Sequence, residues 1–139
     1  MTPSQRKSGF QREFGLRCWS GSPASMSGAH RHNDIEINLI ECGAIVYLFG
    51  GRRVVARAGE VLAFWAAAPH QLIDAAMDAH MHWLTLSPAW LMHRHLPDRF
   101  LRDLLRGQPL IGPMQSGDSQ QVTGWQRDLH QGGEWRSIM

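Results

Sequence analysis

Lysine is almost missing from this chain. Of its 14 basic residues, 13 are arginine and the other is Lys7, and the formal net charge is only +2 over 139 residues. The arginines are thinly spread, with Arg52-Arg53 the densest pair in the folded region. A nucleic-acid binder normally shows a basic stripe or a reading motif. Neither is present, so these residues are not expected to grip DNA by themselves. Cysteine is equally sparse: Cys18 and Cys42 make no disulfide framework and no Cys-x-x-Cys pair, which fits a reducing, cytoplasmic setting. The N-terminus, MTPSQRKSGFQREFG, lacks the apolar core of a secretory signal. No apolar run approaches the ~18 residues of a membrane helix, so no membrane role is expected.

What is present is a succession of short strand patterns. Residues 1–14 are polar and are expected to be flexible, and residues 19–29 (WSGSPASMSGA) read as a loop or a poorly regular edge. From Ile35 to Leu39 apolar and polar residues alternate with the period of a half-buried strand. Gly43 breaks that run, and Ala44–Phe49 is rich in β-branched and aromatic residues. Gly50-Gly51 joins it to Arg52–Arg57 as a hairpin. Ala58-Gly59 is a further turn, and Val61–Trp65, Pro69–Ile73 and His82–Leu86 supply more strands. Many short strands with glycine turns predict an all-β sandwich or barrel over residues 15–87.

After Ser87-Pro88 the period lengthens. Leu91, Leu96, Phe100, Leu101, Leu104 and Leu105 recur at helical spacing, with Pro97 starting or kinking a helix and Gly107 ending it. Residues 107–117 hold Gly107, Pro109, Gly112 and Pro113 and read as a loop; Asp118 or Ser119 then caps a last helix carrying Val122, Trp125 and Leu129. The ending Glu134–Met139 has no stop signal, which suggests that the 88–139 helical segment is cut within an element.

The chemistry-bearing feature is His30-x-His32-x-x-x-Glu36, joined after the hairpin by His70. Residues of equal parity share a strand face. Four residues of straight strand span ~13 Å, too far for one ion to touch both His32 and Glu36, so turn-prone Asn33-Asp34 must bend the chain between them. Imidazoles plus one carboxylate suit a divalent transition metal such as zinc, nickel or iron, with positions left open for a ligand. Two more pairs, His80-x-His82 and His93-x-His95, read as exposed or strand-edge residues without a role.

Taken together, these residues resemble a known family. His30-x-His32-x3-Glu36-x6-Gly43 matches the spacing of the first cupin motif, and Gly59 with Pro69-His70 resembles the second. Trp65-Ala66-Ala67 stands where cupin enzymes usually carry Pro-x-Gly. The stretch Ala63-Phe64-Trp65-Ala66-Ala67-Ala68-Pro69-His70-Gln71-Leu72, with Glu36-Ile37-Asn38 before it, resembles the N-terminal domain of AraC-type transcription regulators. The resemblance covers residues 15–139. It implies a mostly β, cupin-type double-stranded β-helix (a jelly-roll barrel) followed by two or so α-helices used for dimerisation. It also implies a small-molecule effector, often a sugar, and a pair of helix-turn-helix units that contact DNA in the full protein and are absent from these residues.

On that basis His30, His32, Glu36 and His70 are the expected metal or polar ligands lining the barrel. Asn38, sharing their parity, is placed to hydrogen-bond a hydroxyl, and Trp65 and Trp83 to stack on a sugar ring or pack the core. Arg31 and Asp34 are expected in solvent. The leucines 101, 104 and 105, with Trp125 and Leu129, either form a dimer face or cover one open side of the barrel. A metal-dependent cupin enzyme, a dioxygenase or isomerase, is the competing reading of the same ligands. A third is a structural barrel whose histidines bind nothing.

Overall fold

A computed structural model describes residues 16–92, 97–121 and 123–124. Eight strands run in chain order: β1 (Leu16–Gly21), β2 (Ile35–Cys42), β3 (Ala44–Phe49), β4 (Arg52–Arg57), β5 (Glu60–Trp65), β6 (His70–Ala75), β7 (His80–Leu86) and β8 (Leu110–Pro113). Helices α1 (Pro88–Met92) and α2 (Asp98–Leu105) lie between β7 and β8. The strands form two antiparallel sheets, one ordered β1-β7-β2-β5-β8 and the other β4-β3-β6. The architecture is mostly β and of jelly-roll, cupin-like form, and among the described residues the two sheets remain separate ladders.

The turns follow from the glycines that make them. Gly50 and Gly51 both have positive φ, 53° and 89°, the signature of the tight turn whose twist suits a hairpin. Gly43 has φ 73°, and a Cβ there would stand 2.9 Å from the Cα of Ala79. Only glycine lets the β2–β3 corner sit against the chain entering β7.

Alternation sorts the large sheet into two faces. Ile40, Leu62, Phe64, Met81 and Trp83 point inward and meet Ile45, Tyr47, Phe49, Val54 and Leu72 of the small sheet. Cys18, Ile35, Leu39, Ala63, Leu84 and Leu86 point outward, where Leu104 covers them with Phe100, Leu101 and Trp90 packed alongside. Pro97 stands at the N-cap of α2. At the other end Gly107 N–H donates to Leu104 O and Gln108 N–H to Asp103 O, with Gly107 at φ 78°, a glycine-terminated Schellman ending. Leu101 and Leu104 therefore serve as a lid on the large sheet, while Leu105 is 41% exposed.

Two expectations need correction. Residues 107–117 are not all loop: Leu110–Pro113 pairs with β5 from Ala63↔Leu110 to Glu60↔Pro113. The prolines just before it and at its end hid it, and they are tolerated because β8 is an edge strand needing only one side of its hydrogen bonds. Of the stretch 19–29, read as a loop or a poorly regular edge, Trp19–Gly21 belongs to the edge strand β1, which pairs with β7. Its inward positions are Arg17 and Trp19, so the apolar alternation is masked by a buried charge. The proposed last helix is helical at 118–121, but Val122, Trp125 and Leu129 lie outside the described residues, as do residues 1–14, Leu96 and the pair His93, His95.

Candidate functional site

The chain between β1 and β2 runs along the edge of β6. His30 N–H donates to His70 O and His70 N–H to His30 O, at 2.7 and 2.9 Å, and His32 N–H donates to Ala66 O. At Asn33-Asp34 the backbone bends, and Ala66 N–H is accepted by Asp34 O at 2.8 Å. That bend does what strand geometry required: His32 Nε2 comes to 3.7 Å from Glu36 Oε1.

Three of the four expected ligands converge. Donor atoms of His32, Glu36 and His70 all lie within 4.8 Å of one another, and the two imidazoles meet edge to face at 5.5 Å. Each ring is held by its other nitrogen: His32 Nδ1 lies 2.8 Å from Asp34 Oδ2, and His70 Nδ1 lies 2.9 Å from Ala68 O. This is the outer-shell arrangement that leaves Nε2 free to bind a ligand or ion. Burial, with like-charge pressure from neighbouring histidines, pushes His70 below its ordinary value despite the Ala68 carbonyl and Glu36, which favours the neutral, ligating form.

His30 is the expected ligand that the structure does not bring in. Its backbone pairs with His70, its residue is exposed, and it is outside the converging set. Asp34 is also a correction, since it is 7% exposed rather than in solvent. It serves His32 and lies 3.8 Å from the guanidinium of Arg17.

Behind the histidines Glu36 sits in a polar net. Tyr47 Oη–H donates to Glu36 Oε2 at 3.3 Å, and Asn38 Nδ2 is shared between Glu36 Oε2 and Tyr47 Oη at 3.4 and 3.2 Å. Burial raises Tyr47 well above its usual value, and the Glu36 charge adds to this, so the phenol remains a donor. Sequence reasoning missed Tyr47, and its inward parity on β3 was the available signal. It missed Arg17 as well. That cation is 4% exposed, and its Nε and Nη1 make no hydrogen bond. Burial pulls it down to about 10 against the attraction of Asp34 and Glu36.

The two tryptophans part company. Trp83 faces inward, 7% exposed, and stacks on Trp19 with centroids 5.8 Å apart and planes at 12°. Trp65 faces the other way: it packs with the outer cluster and donates Nε1–H to Asn33 Oδ1 at 3.3 Å. Odd parity on β5 puts it on the helix-covered face with Ala63, so it cannot share a ligand with Glu36. On that outer face an apolar cleft of about 510 Å³ lies among Ile37, Val61, Ala63, Phe100 and Leu110, and it contains none of the expected ligands.

With this geometry in hand, the family is decided by the match of residues 20–130 to the AraC-like ligand binding domain. The chain belongs to that family. It is 29% identical over 118 residues to the melibiose operon regulatory protein of Escherichia coli strain K12, and the same figures hold for the protein of strain CFT073. The match covers 81% of this chain and 38% of those regulators, so this AraC-like domain spans well under half the length of the curated relatives it matches. Among solved structures, apo ToxT K231A from Vibrio cholerae superposes with a TM-score of 0.56 at 11% identity, covering 85% of this chain and 52% of that one. ToxT bound to (E)-4-(8-methylnaphthalen-1-yl)but-3-enoic acid gives 0.54 at 10%, covering 86% and 49%. At such identities the likeness is one of fold. Among the described residues no helix is long and apolar enough to cross a membrane.

Proposed function

We propose that this AraC-like domain senses a small hydroxyl-bearing effector, a sugar in the first instance, in the jelly-roll interior around Glu36. The observation that carries this is the polar row on the inner face of an otherwise apolar core. Glu36 is 4%, Asn38 0% and His70 3% exposed. Burying such groups is costly unless they are satisfied, and here Asn38 Oδ1, Thr85 Oγ1 and the Nε and Nη1 of Arg17 have no hydrogen-bond partner. Register sets Arg17 and Glu36 on either side of Thr85, a donor-and-acceptor surface suited to hydroxyls. The His32 side chain, 28% exposed, gives the row its way to solvent. The relative named as the melibiose operon regulator is consistent with a sugar.

A divalent ion fits the same residues. His32 Nε2, His70 Nε2 and a Glu36 oxygen would hold it, with Asp34 and the Ala68 carbonyl orienting the rings. Such an ion supplies a positive charge and open positions for effector oxygens. Sensing then needs no reaction, only a ligand that favours one arrangement of the domain over another. Cytoplasmic residence, homodimerisation and DNA contact through a separate helix-turn-helix part belong to the same reading. With Leu101 and Leu104 engaged on the sheet, Leu105 of α2, 41% exposed, is the residue of that helix open to a dimer contact, beside Ile111 and Met92 among the exposed large apolar groups.

The test is calorimetry and thermal shift of the tag-free chain against a panel of mono- and disaccharides, with elemental analysis of the same samples. A sugar at 100 times its Kd should add about 2.7 kcal/mol of stability, and Asn38→Ala and Glu36→Gln should remove most of that gain. Metal content should fall in His70→Ala. If no sugar stabilises the chain, or if stabilisation survives both interior variants, the sugar-sensing reading is wrong. Stoichiometric redox-active iron would favour the cupin-enzyme alternative.

A further inference from the structure

Of the pair His80-x-His82, read from sequence as exposed or strand-edge and given no role, His80 is half-exposed at the start of its strand while His82 is buried. Both lie on β7, hydrogen-bonded between β1 and β2. Two residues apart, the rings share one face, the outer one, at the end away from the interior cluster. On neighbouring β2 the register shifts between Ile40 and Cys42, and such an irregularity re-aims the residue it displaces. Here that residue is Glu41. Its Oε2 lies 3.2 Å from His82 Nε2 and 3.8 Å from His80 Nε2, and the two rings stand at 90° with centroids 5.6 Å apart. All three donor atoms lie within 4.8 Å of one another. Donors around a tetrahedral zinc ion are about 3.3 Å apart, given metal–ligand bonds of about 2 Å.

A second observation separates this cluster from an ordinary ion pair. His82 is 4% exposed, and its Nε2 has the Glu41 carboxylate, 3.2 Å away, as a poorly aligned partner. A buried ring nitrogen so weakly satisfied is costly, and a metal ion between the two groups would satisfy it more fully. The opposite nitrogen, Nδ1, lies 2.5 Å from Ser20 Oγ, so the ring is fixed with Nε2 aimed at Glu41 and His80. The side chains of His80 and Glu41 remain 42% and 35% exposed, which leaves room for water as a fourth ligand.

We propose that Glu41, His80 and His82 form a zinc-type divalent metal site on the outer face of the large sheet, distinct from the interior cluster, with Ser20 as its positioning residue. The site is independent of the sensing role. Glu41 also takes a hydrogen bond from Ser119, at the start of the helical stretch 118–121. An ion here would therefore tie the β2–β7 end of the sheet to the helical stretch 118–121.

Zinc titration of the tag-free chain against a chromophoric chelator tests this, using a Glu36→Gln chain that also carries His32→Ala, so that a single imidazole remains in the interior cluster. The expected result is one equivalent of Zn²⁺ bound, with affinity weakened at least tenfold by His80→Ala or Glu41→Gln. Ser20→Ala should weaken it about tenfold by releasing the ring. Both deciding positions are half-exposed, and circular dichroism melts confirm that the variants fold. Zinc uptake unchanged in His80→Ala and Glu41→Gln overturns the proposal. So does a chain with the interior ligands removed that takes up no zinc; the sensing reading, tested by sugar titration of the parent, is unaffected by that result.

Discussion

Asp34 accepts from His32 Nδ1 at 2.8 Å while standing 3.8 Å from the buried guanidinium of Arg17. One carboxylate thus both aims the His32 ring and offsets the cation behind Glu36. Asp34→Ala should weaken divalent-metal binding at the interior cluster by about 10–100-fold, the usual effect of losing an outer-shell partner. It should also destabilise the fold, by about 1–3 kcal/mol, because Glu36 alone is then left to offset the buried Arg17. Zinc titration and urea unfolding measure the two effects. Arg31→Ala, at an exposed neighbour, should stay within about 0.5 kcal/mol of the parent.

Gly43 and Gly59 both have positive φ, 73° and 88°, but only Gly43 faces backbone within 3 Å. Gly59→Ala should therefore cost only the left-handed strain, about 1–2 kcal/mol. Gly43→Ala adds a collision with Ala79 that backbone must move to relieve. Its urea midpoint should fall clearly below that of Gly59→Ala. Equal midpoints would mean that the β2–β3 corner yields freely.

The hairpin strands from Ile35 to Trp65 were legible because their β-branched and apolar runs are separated by glycines that the turns need, at Gly43, Gly50-Gly51 and Gly59; β6 and β7 were legible from their apolar runs alone. β1 and β8 were not, for two different physical reasons. In β1 an inward position carries Arg17, and its compensation by Asp34 and Glu36 arises only in three dimensions. In β8 one proline precedes and another ends a four-residue edge strand. The site was legible where spacing and chain bending decide it, at His32, Glu36 and His70. Spacing could not show that His30 uses its backbone to pair with His70 and stays exposed, that odd parity turns Trp65 outward, or that a register shift aims Glu41 at His82.

Leu104 and Leu105 are adjacent on α2 yet 0% and 41% exposed. Leu104→Ala should cost about 2–5 kcal/mol by opening a cavity over Ile35, Leu39 and Leu84. Leu105→Ala should change the stability of the isolated domain by no more than about 0.5 kcal/mol. Sedimentation velocity on Leu105→Glu then separates the two possible roles of this helix. A shift from dimer to monomer with unchanged unfolding of the monomer supports a contact at Leu105. An unchanged sedimentation coefficient means that α2 only covers the sheet.

Cys18 is buried among the outer-face residues, and burial pushes its thiol up to about 12, whereas Cys42 is exposed. Reactivity follows the thiolate and access to it. At pH 8 a disulfide reagent should therefore titrate one thiol in the native chain and two in denaturant, with Cys42→Ser removing the native reaction. The same shift sets a pH dependence. Above the ordinary thiol value of 9.0 the unfolded chain gives up a proton that the native chain keeps until about 12. The unfolded state then binds fewer protons and stability falls as pH rises, by up to about 1.4 kcal/mol per pH unit. Tyr47 and Arg17 titrate in the alkaline range in parent and variant alike, so the difference between the parent and Cys18→Val isolates the thiol. Between pH 8 and 10.5 the parent should lose stability faster than Cys18→Val; parallel curves would show that Cys18 ionises as readily folded as unfolded.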